Sequence, residues 1–248
     1  MAAKLLALNA LPYDHAPPGS TKQDREAAPG GLIPDDRRHM EISFRFGQAE
    51  DIDDVADLVV NAGGGLYEFL LGGLVPGVSA RDMIRYAVSD EATLFSYTNG
   101  ILADQDGKVQ GLALCYPGEE FGLPWIVRNV IPRRRLNRVR GVLEADVQGT
   151  LYLNSLAVPE AARGKGVGRL LLGCVGELTA ELEFDTVTLH VWADNEPALK
   201  LYLSSGFEII ETVPIESHER LMHEGGMHLM SAALPLSVGG RADANRMP

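Results

Sequence analysis

Cysteine is nearly absent from this 248-residue chain, which holds only Cys115 and Cys174. Each lies in an apolar run, Leu112 to Cys115 and Leu170 to Cys174. That placement excludes a disulfide framework and predicts two buried thiols, as in a reducing, cytoplasmic compartment. Aromatic residues are also sparse, at 6% against 46% hydrophobic residues in all, so a sizeable core must come from aliphatic side chains. No apolar run approaches the ~20 residues that span a bilayer. The opening Met1-Ala-Ala-Lys-Leu-Leu-Ala-Leu is short and is broken by Pro12, so it makes no signal peptide. The reading is a soluble protein with no membrane partner. Positive charge is scarce too: 22 Lys and Arg face 34 Asp and Glu, for a net charge of −12 and a pI near 4.9. A nucleic-acid surface needs clustered cations to neutralise phosphates, so no nucleic-acid partner is expected. The plain reading of the acidic balance is solubility, and the sharper one is an acidic rim that attracts cationic or amine substrates.

Residues 1–39 mix five prolines, several glycines and many charges, and are expected to form a disordered leader. Folding signals begin at Met40, which also makes Met40 a candidate translation start. From there one domain is expected over 40–235, with a flexible tail over 236–248. A strand at 41–46 precedes a helix from Asp51 with acidic residues in its first turn. A second helical stretch is punctuated by Gly63 to Gly65 and by Gly72 and Gly73, and Ser79 reads as the N-cap of a helix over 80–89. Two strand-like runs, Thr93 to Ala103 and Val109 to Tyr116, flank Asp106-Gly107, a hairpin signal. The basic stretch Arg133 to Arg140 reads as a short surface helix with a solvated face. Then come a strand at Leu151 to Val158, a helix over 166–183, a strand at Thr186 to Trp192, a helix at Asn195 to Ser204, and strands at Phe207 to Val213 and Met227 to Leu234. This alternation, with the hairpin, predicts a mixed α/β sheet.

The chemistry concentrates at Arg163-Gly164-Lys165-Gly166-Val167-Gly168-Arg169, between a strand and an apolar helix. Such a turn aims successive backbone N–H groups at one point, and the helix dipole adds positive potential there. Glycine permits unusual φ and ψ and lets a ligand approach the backbone. A phosphate or pyrophosphate is the expected guest. No P-loop string Gly-x-x-x-x-Gly-Lys-Ser/Thr occurs. The spacing Gly-x-Gly-x-Gly, set off from the strand by Pro159 to Arg163, also departs from the dinucleotide fingerprint.

These residues resemble the GNAT superfamily of acetyl-CoA-dependent N-acetyltransferases, whose signature Arg/Gln-x-x-Gly-x-Gly/Ala matches Arg163 to Gly168. The likeness continues in Asn195-Glu-Pro-Ala198-Leu-Lys-Leu-Tyr202-Leu-Ser-Ser-Gly206-Phe207, which resembles the family's Asn-led helix with a Tyr and the Gly-Phe that opens the next strand. It covers 151–213 closely and 40–235 in general pattern. Independently of the family, Asp194 or Asn195 suits the helix cap, Pro197 its first turn and Gly206 its left-handed terminus.

The resemblance implies a GNAT-like fold, with a central, mostly antiparallel sheet of about seven strands and helices on both faces. It implies acetyl-CoA as cosubstrate, bound by the strand residues Leu156, Ala157 and Val158. The turn residues Arg163, Gly164, Lys165, Gly166, Val167, Gly168 and Arg169 would bind it too, with Asn195, Ala198 and Tyr202 from the next helix. It implies direct transfer to the primary amine of a small molecule or peptide, with Tyr202 as general acid. Some members carry a base Glu on the signature strand, but the matching position here is Tyr152. Glu120 is the base candidate retained, beside Glu119, Glu144 and Asp146, and His218 and His223 can face substrate. No metal is expected, and a homodimer stays open. The alternatives are a non-catalytic acyl-CoA-binding sensor and a dinucleotide oxidoreductase.

Overall fold

The computed structural model describes residues 42–238. The expected leader over 1–39, the candidate start at Met40 and the tail beyond Val238 lie outside the described residues. Seven strands form one sheet in the order β1-β2-β3-β4-β5-β7-β6. They are β1 (Ser43–Phe46), β2 (Gly100–Gln105), β3 (Lys108–Pro117), β4 (Leu151–Ala157), β5 (Thr186–Trp192), β6 (Glu208–Val213) and β7 (Met227–Ala233). All neighbours are antiparallel except β4 and β5, which run parallel. The helical connection between them is the usual way to join parallel strands.

That connection is α7 (Val167–Glu181), which follows α1 (Ile52–Gly63), α2 (Leu66–Leu71), α3 (Ala80–Ser89), α4 (Trp125–Val130), α5 (Arg133–Arg138) and α6 (Arg140–Leu143) and precedes α8 (Glu196–Ser204). Strand alternation divides the core between the two faces of the sheet. On one face Val55, Val59, Phe69, Ile84, Leu112, Leu114 and Tyr152 pack with α1 to α3. On the other Leu151, Leu153, Leu171, Leu172, Val187, Leu189 and Phe207 pack with α7 and α8. Both cysteines are free and buried on this second face. Burial pushes both thiols up, Cys174 to about 12.

Local chemistry sets the element boundaries. Asp106 and Gly107 both take positive φ, 54° and 77°, so the β2–β3 hairpin turns as its sequence predicts. Ser79 caps α3 in a reciprocal box with Asp82. Arg45 of β1 grips Asp51 with two bonds of 2.6 and 2.9 Å and reaches Asp104 of β2 at 3.0 Å, tying the start of α1 to the sheet. Hydrogen bonding from Arg45 holds the Asp51 carboxyl below the usual carboxylate range.

Two expectations are corrected. The strand expected from Thr93 begins only at Gly100. Asn99 Nδ2 donates to the carbonyls of Thr93 and Leu94 at 3.3 and 3.2 Å, so side-chain bonds close this segment into turns instead. The basic stretch is α5 and the start of α6, with Arg133, Arg134 and Arg140 exposed as expected, but it is not a solvated face throughout. Arg135 donates to the Leu70 carbonyl at 3.0 Å, and Arg138 to the carbonyls of Glu216 and Ser217 at 3.2 and 2.9 Å. These two arginines clip loops together.

Candidate active site

The strand before the glycine turn parts from its parallel neighbour. β4 pairs with β5 only through Leu151 to Leu153, whereas its pairing with β3 continues to Ala157. The residues from Asn154 to Ala157 therefore have no strand partner on the β5 side. Below this splay the chain makes a short 3-10 turn at Glu160–Ala162 and then enters α7 through Gly166.

Gly164 and Gly166 stand at φ 75° and 84°, and a Cβ built on either would meet nothing within 4 Å. Conformation, not crowding, requires glycine at these two positions, and the space in front of them is open. Gly168 differs, because its Cβ would come within 3.2 Å of the Leu201 side chain. Here glycine lets α7 and α8 approach. Asn195 caps α8 by accepting from the Ala198 N–H at 3.3 Å, and Pro197 lies in the first turn. Gly206 has φ 93° just past the helix end.

These features border one cleft of about 630 Å³ that runs from the glycine turn, past the splayed strands, to α1 and the loop before β7. Every cofactor-binding residue expected from the sequence lines it except Lys165, which is exposed on the turn. Val167 borders the cleft from the core of the α7–α8 side, where the residue is 2% exposed. Arg163 folds back to donate to the Val158 carbonyl at 3.1 Å, and Arg169 donates to Ser204 Oγ at 2.8 Å. Tyr202 is buried, its ring edge-on to Phe207 at 5.5 Å. Burial raises its phenol well above the usual value, so it stays protonated.

The far end of the cleft carries His223, one of the two histidines the sequence placed toward substrate, together with Asn154 and His190, which it did not single out. Trp192 Nε1 donates to the Gly63 carbonyl at 3.0 Å and stacks on His223, whose Nδ1 lies 2.7 Å from Asp194 Oδ1. Asn154 Nδ2 donates to Tyr116 Oη at 3.1 Å, and the Tyr152 hydroxyl lies 3.0 Å from His190 Nδ1. Asn154 and His190 both line the cleft. The base candidate Glu120 does not: it stands exposed in the 3-10 turn Gly118–Glu120. Glu119 accepts from the Gly149 N–H at 2.9 Å, and Glu144 and Asp146 border a separate surface hollow. His218 packs edge-on to Phe69 at 4.8 Å. A lone histidine in the apolar strand Thr186 to Trp192 was the one available signal for His190.

Among the described residues no helix is long and apolar enough to cross a membrane, and no cluster of His, Cys, Asp and Glu is arranged to hold a metal. Comparison with known proteins agrees with the geometry. A 60-residue stretch is 38% identical to an uncharacterized N-acetyltransferase, YdgE, of Bacillus subtilis (strain 168); it covers 24% of this chain and 38% of that protein. The chain thus spans well under half the length of the curated relative it matches. An N-acetyltransferase structure from Staphylococcus aureus Mu50 shares the fold with a TM-score of 0.56 and 21% identity, over 77% of this chain and 100% of that one. A GCN5-related N-acetyltransferase from Kribbella flavida does so at 0.51 and 22%, over 78% and 98%. The model of the acetyltransferase (GNAT) family matches residues 77–207, from before α3 to the start of β6, and the chain belongs to that family.

Proposed function

We propose that this chain binds acetyl-CoA in the cleft and transfers the acetyl group directly to a primary amine of a small molecule or peptide. The observation that carries the reading is the convergence, on one cleft, of the open glycine turn, the unpaired edge of β4 and the buried phenol of Tyr202.

Acetyl-CoA would supply the activated acyl group as a thioester. The N–H groups at the start of α7 and the open space before Gly164 and Gly166 suit its pyrophosphate. The free edge of β4 at Leu156 and Val158 suits the amide-bearing arm, as a sheet edge suits any extended chain with donors and acceptors. Backbone N–H groups there can also polarise a carbonyl, and each such bond counts for more where bound substrate displaces water. Tyr202 keeps its proton and can pass it to the departing thiolate. A thiolate leaving within the same apolar surroundings is itself destabilised, which keeps that transfer within reach.

Thermal shift against acetyl-CoA, CoA and NAD(P), followed by CoA release with a panel of amines, amino acids and peptides, tests the proposal. Stabilisation by acetyl-CoA with turnover of at least one amine is expected. Stabilisation by NAD(P) alone would point to redox chemistry. Tight acetyl-CoA binding with no turnover on any amine would leave a sensor.

A further inference from the structure

Two buried side-chain atoms among the described residues lack any hydrogen-bond partner, Glu68 Oε2 and His190 Nε2. The second lies on a residue that lines the cleft, at the point where β4 and β5 part. A buried, unsatisfied ring nitrogen is costly, so its persistence calls for an explanation. Its other nitrogen is already engaged, with Nδ1 3.0 Å from the Tyr152 hydroxyl. The ring is boxed in as well. Phe121 stacks parallel to it at 5.8 Å and also contacts Tyr152 at 4.5 Å. The imidazole is therefore held in one orientation with one nitrogen left over.

The geometry points to His190 as the proton acceptor for the attacking amine, with Tyr152 as the positioning residue that fixes its ring and tautomer. This rests on the acetyltransferase reading above and adds the base that reading lacks. Side-chain alternation supports it. Tyr152 and His190 face the α1–α3 side of the sheet, with Trp192, whereas Tyr202 belongs to the core on the α7–α8 side. The gap between β4 and β5 can be reached from both faces. An amine arriving on the α1–α3 side meets His190, and the sulfur can leave toward Tyr202 on the other. Burial lowers the imidazole pKa from 6.5 to about 4, so the ring is uncharged at neutral pH and keeps its lone pair.

The step balances. The amine nitrogen forms a bond to the carbonyl carbon and the carbon–sulfur bond breaks, its electron pair leaving on sulfur. The proton shed by nitrogen goes to Nε2, and the thiolate takes one from Tyr202. Both residues then exchange protons with water, which restores them. Once nitrogen has added to the carbonyl its N–H is far more acidic than that of a free ammonium ion, so a weakly basic imidazole suffices. The role requires Nδ1 to carry the ring proton and donate to Tyr152 Oη.

Nitrogen-15 NMR of the ring, assigned with the variant His190→Gln, decides the tautomer without any substrate. A neutral ring protonated on Nδ1 is expected, and one protonated on Nε2 overturns the proposal. In turnover, His190→Gln keeps a polar side chain beside Tyr152 but cannot take a proton. It should lower kcat by about 10²–10⁴-fold while acetyl-CoA binding changes by less than about threefold. Tyr152→Phe should lose activity to an intermediate degree and shift the tautomer equilibrium. Equal turnover by wild type and His190→Gln would sink the assignment to His190 alone. A wild type that binds acetyl-CoA yet acetylates no amine would sink the acetyltransferase reading and this inference with it.

Discussion

Gly166 shows how a single residue can be tested for conformation and chemistry separately. Its φ of 84° disfavours any L side chain, but a Cβ there meets nothing within 4 Å. Gly166→Ala should therefore cost about 1–2 kcal/mol of backbone strain and raise the acetyl-CoA KM only slightly. Gly166→Asp carries the same strain and adds a carboxylate where a pyrophosphate would sit, so steady-state kinetics should show a much steeper rise in that KM. Equal effects of the two would remove the phosphate site. Tyr202→Phe keeps the ring against Phe207 and removes only the hydroxyl. It should lower kcat about tenfold or more, and a change confined to KM would assign the residue to packing. His190 predicts a pH effect on stability. Its folded pKa of about 4 lies below the ordinary 6.5, so the unfolded chain binds more protons between those values and stability falls as pH drops through that window. Denaturant unfolding should show wild type losing up to ~3 kcal/mol relative to His190→Gln between those pH values. The glycine turn and the Asn195 cap were legible because each is a local pattern. His190 was not, because its meaning depends on Tyr152, 38 positions away in sequence.

Among the elements, the loop between β6 and β7 is held over the far end of the cleft by long-range clips. Arg138 of α5 binds the Glu216 and Ser217 carbonyls, and Arg220 donates to the Gly72 carbonyl at 2.9 Å. Closer to β7, His223 meets Asp194. Nothing in the run Arg133 to Arg140 distinguishes a clipping arginine from a solvated one, because the acceptors are backbone carbonyls that any sequence supplies. Composition therefore read that helix as an exposed face. The hairpin at Asp106-Gly107 and the N-cap at Ser79 were readable for the opposite reason, since donor and acceptor lie within three residues. The segment Thr93 to Asn99 misled because it is rich in residue types that favour strands, while Asn99 closes it by local bonds. If the clipped loop shapes the acceptor end, Arg138→Ala should raise the acceptor KM several-fold and leave the acetyl-CoA KM unchanged. Proteolysis should also cut sooner between residues 214 and 226. A KM effect on acetyl-CoA instead would place the loop at the other end of the cleft.

At the scale of the molecule, two cores on opposite faces of one sheet are joined through strands that separate at the cleft, so the fold itself opens a passage between its faces. The alternation of strands and helices made this layering legible, but the splay is a property of register that no single strand sequence carries. The charge of the whole chain adds a further consequence. With a net charge of −12 it repels an anionic cosubstrate everywhere except near local cations, and Arg163 and Arg169 line the cleft at the glycine turn. A cationic acceptor is attracted by the same field, and this attraction acts over distances that salt screens, the Debye length being about 8 Å at physiological ionic strength. Raising salt from about 0.05 to about 0.5 M should lower kcat/KM for a cationic amine by roughly three- to tenfold. An acceptor that is neutral at the same pH should lose little, and acetyl-CoA should lose no efficiency through long-range repulsion because screening relieves it. Parallel losses for cationic and neutral acceptors would show that acceptor capture depends on contacts inside the cleft rather than on the field of the molecule.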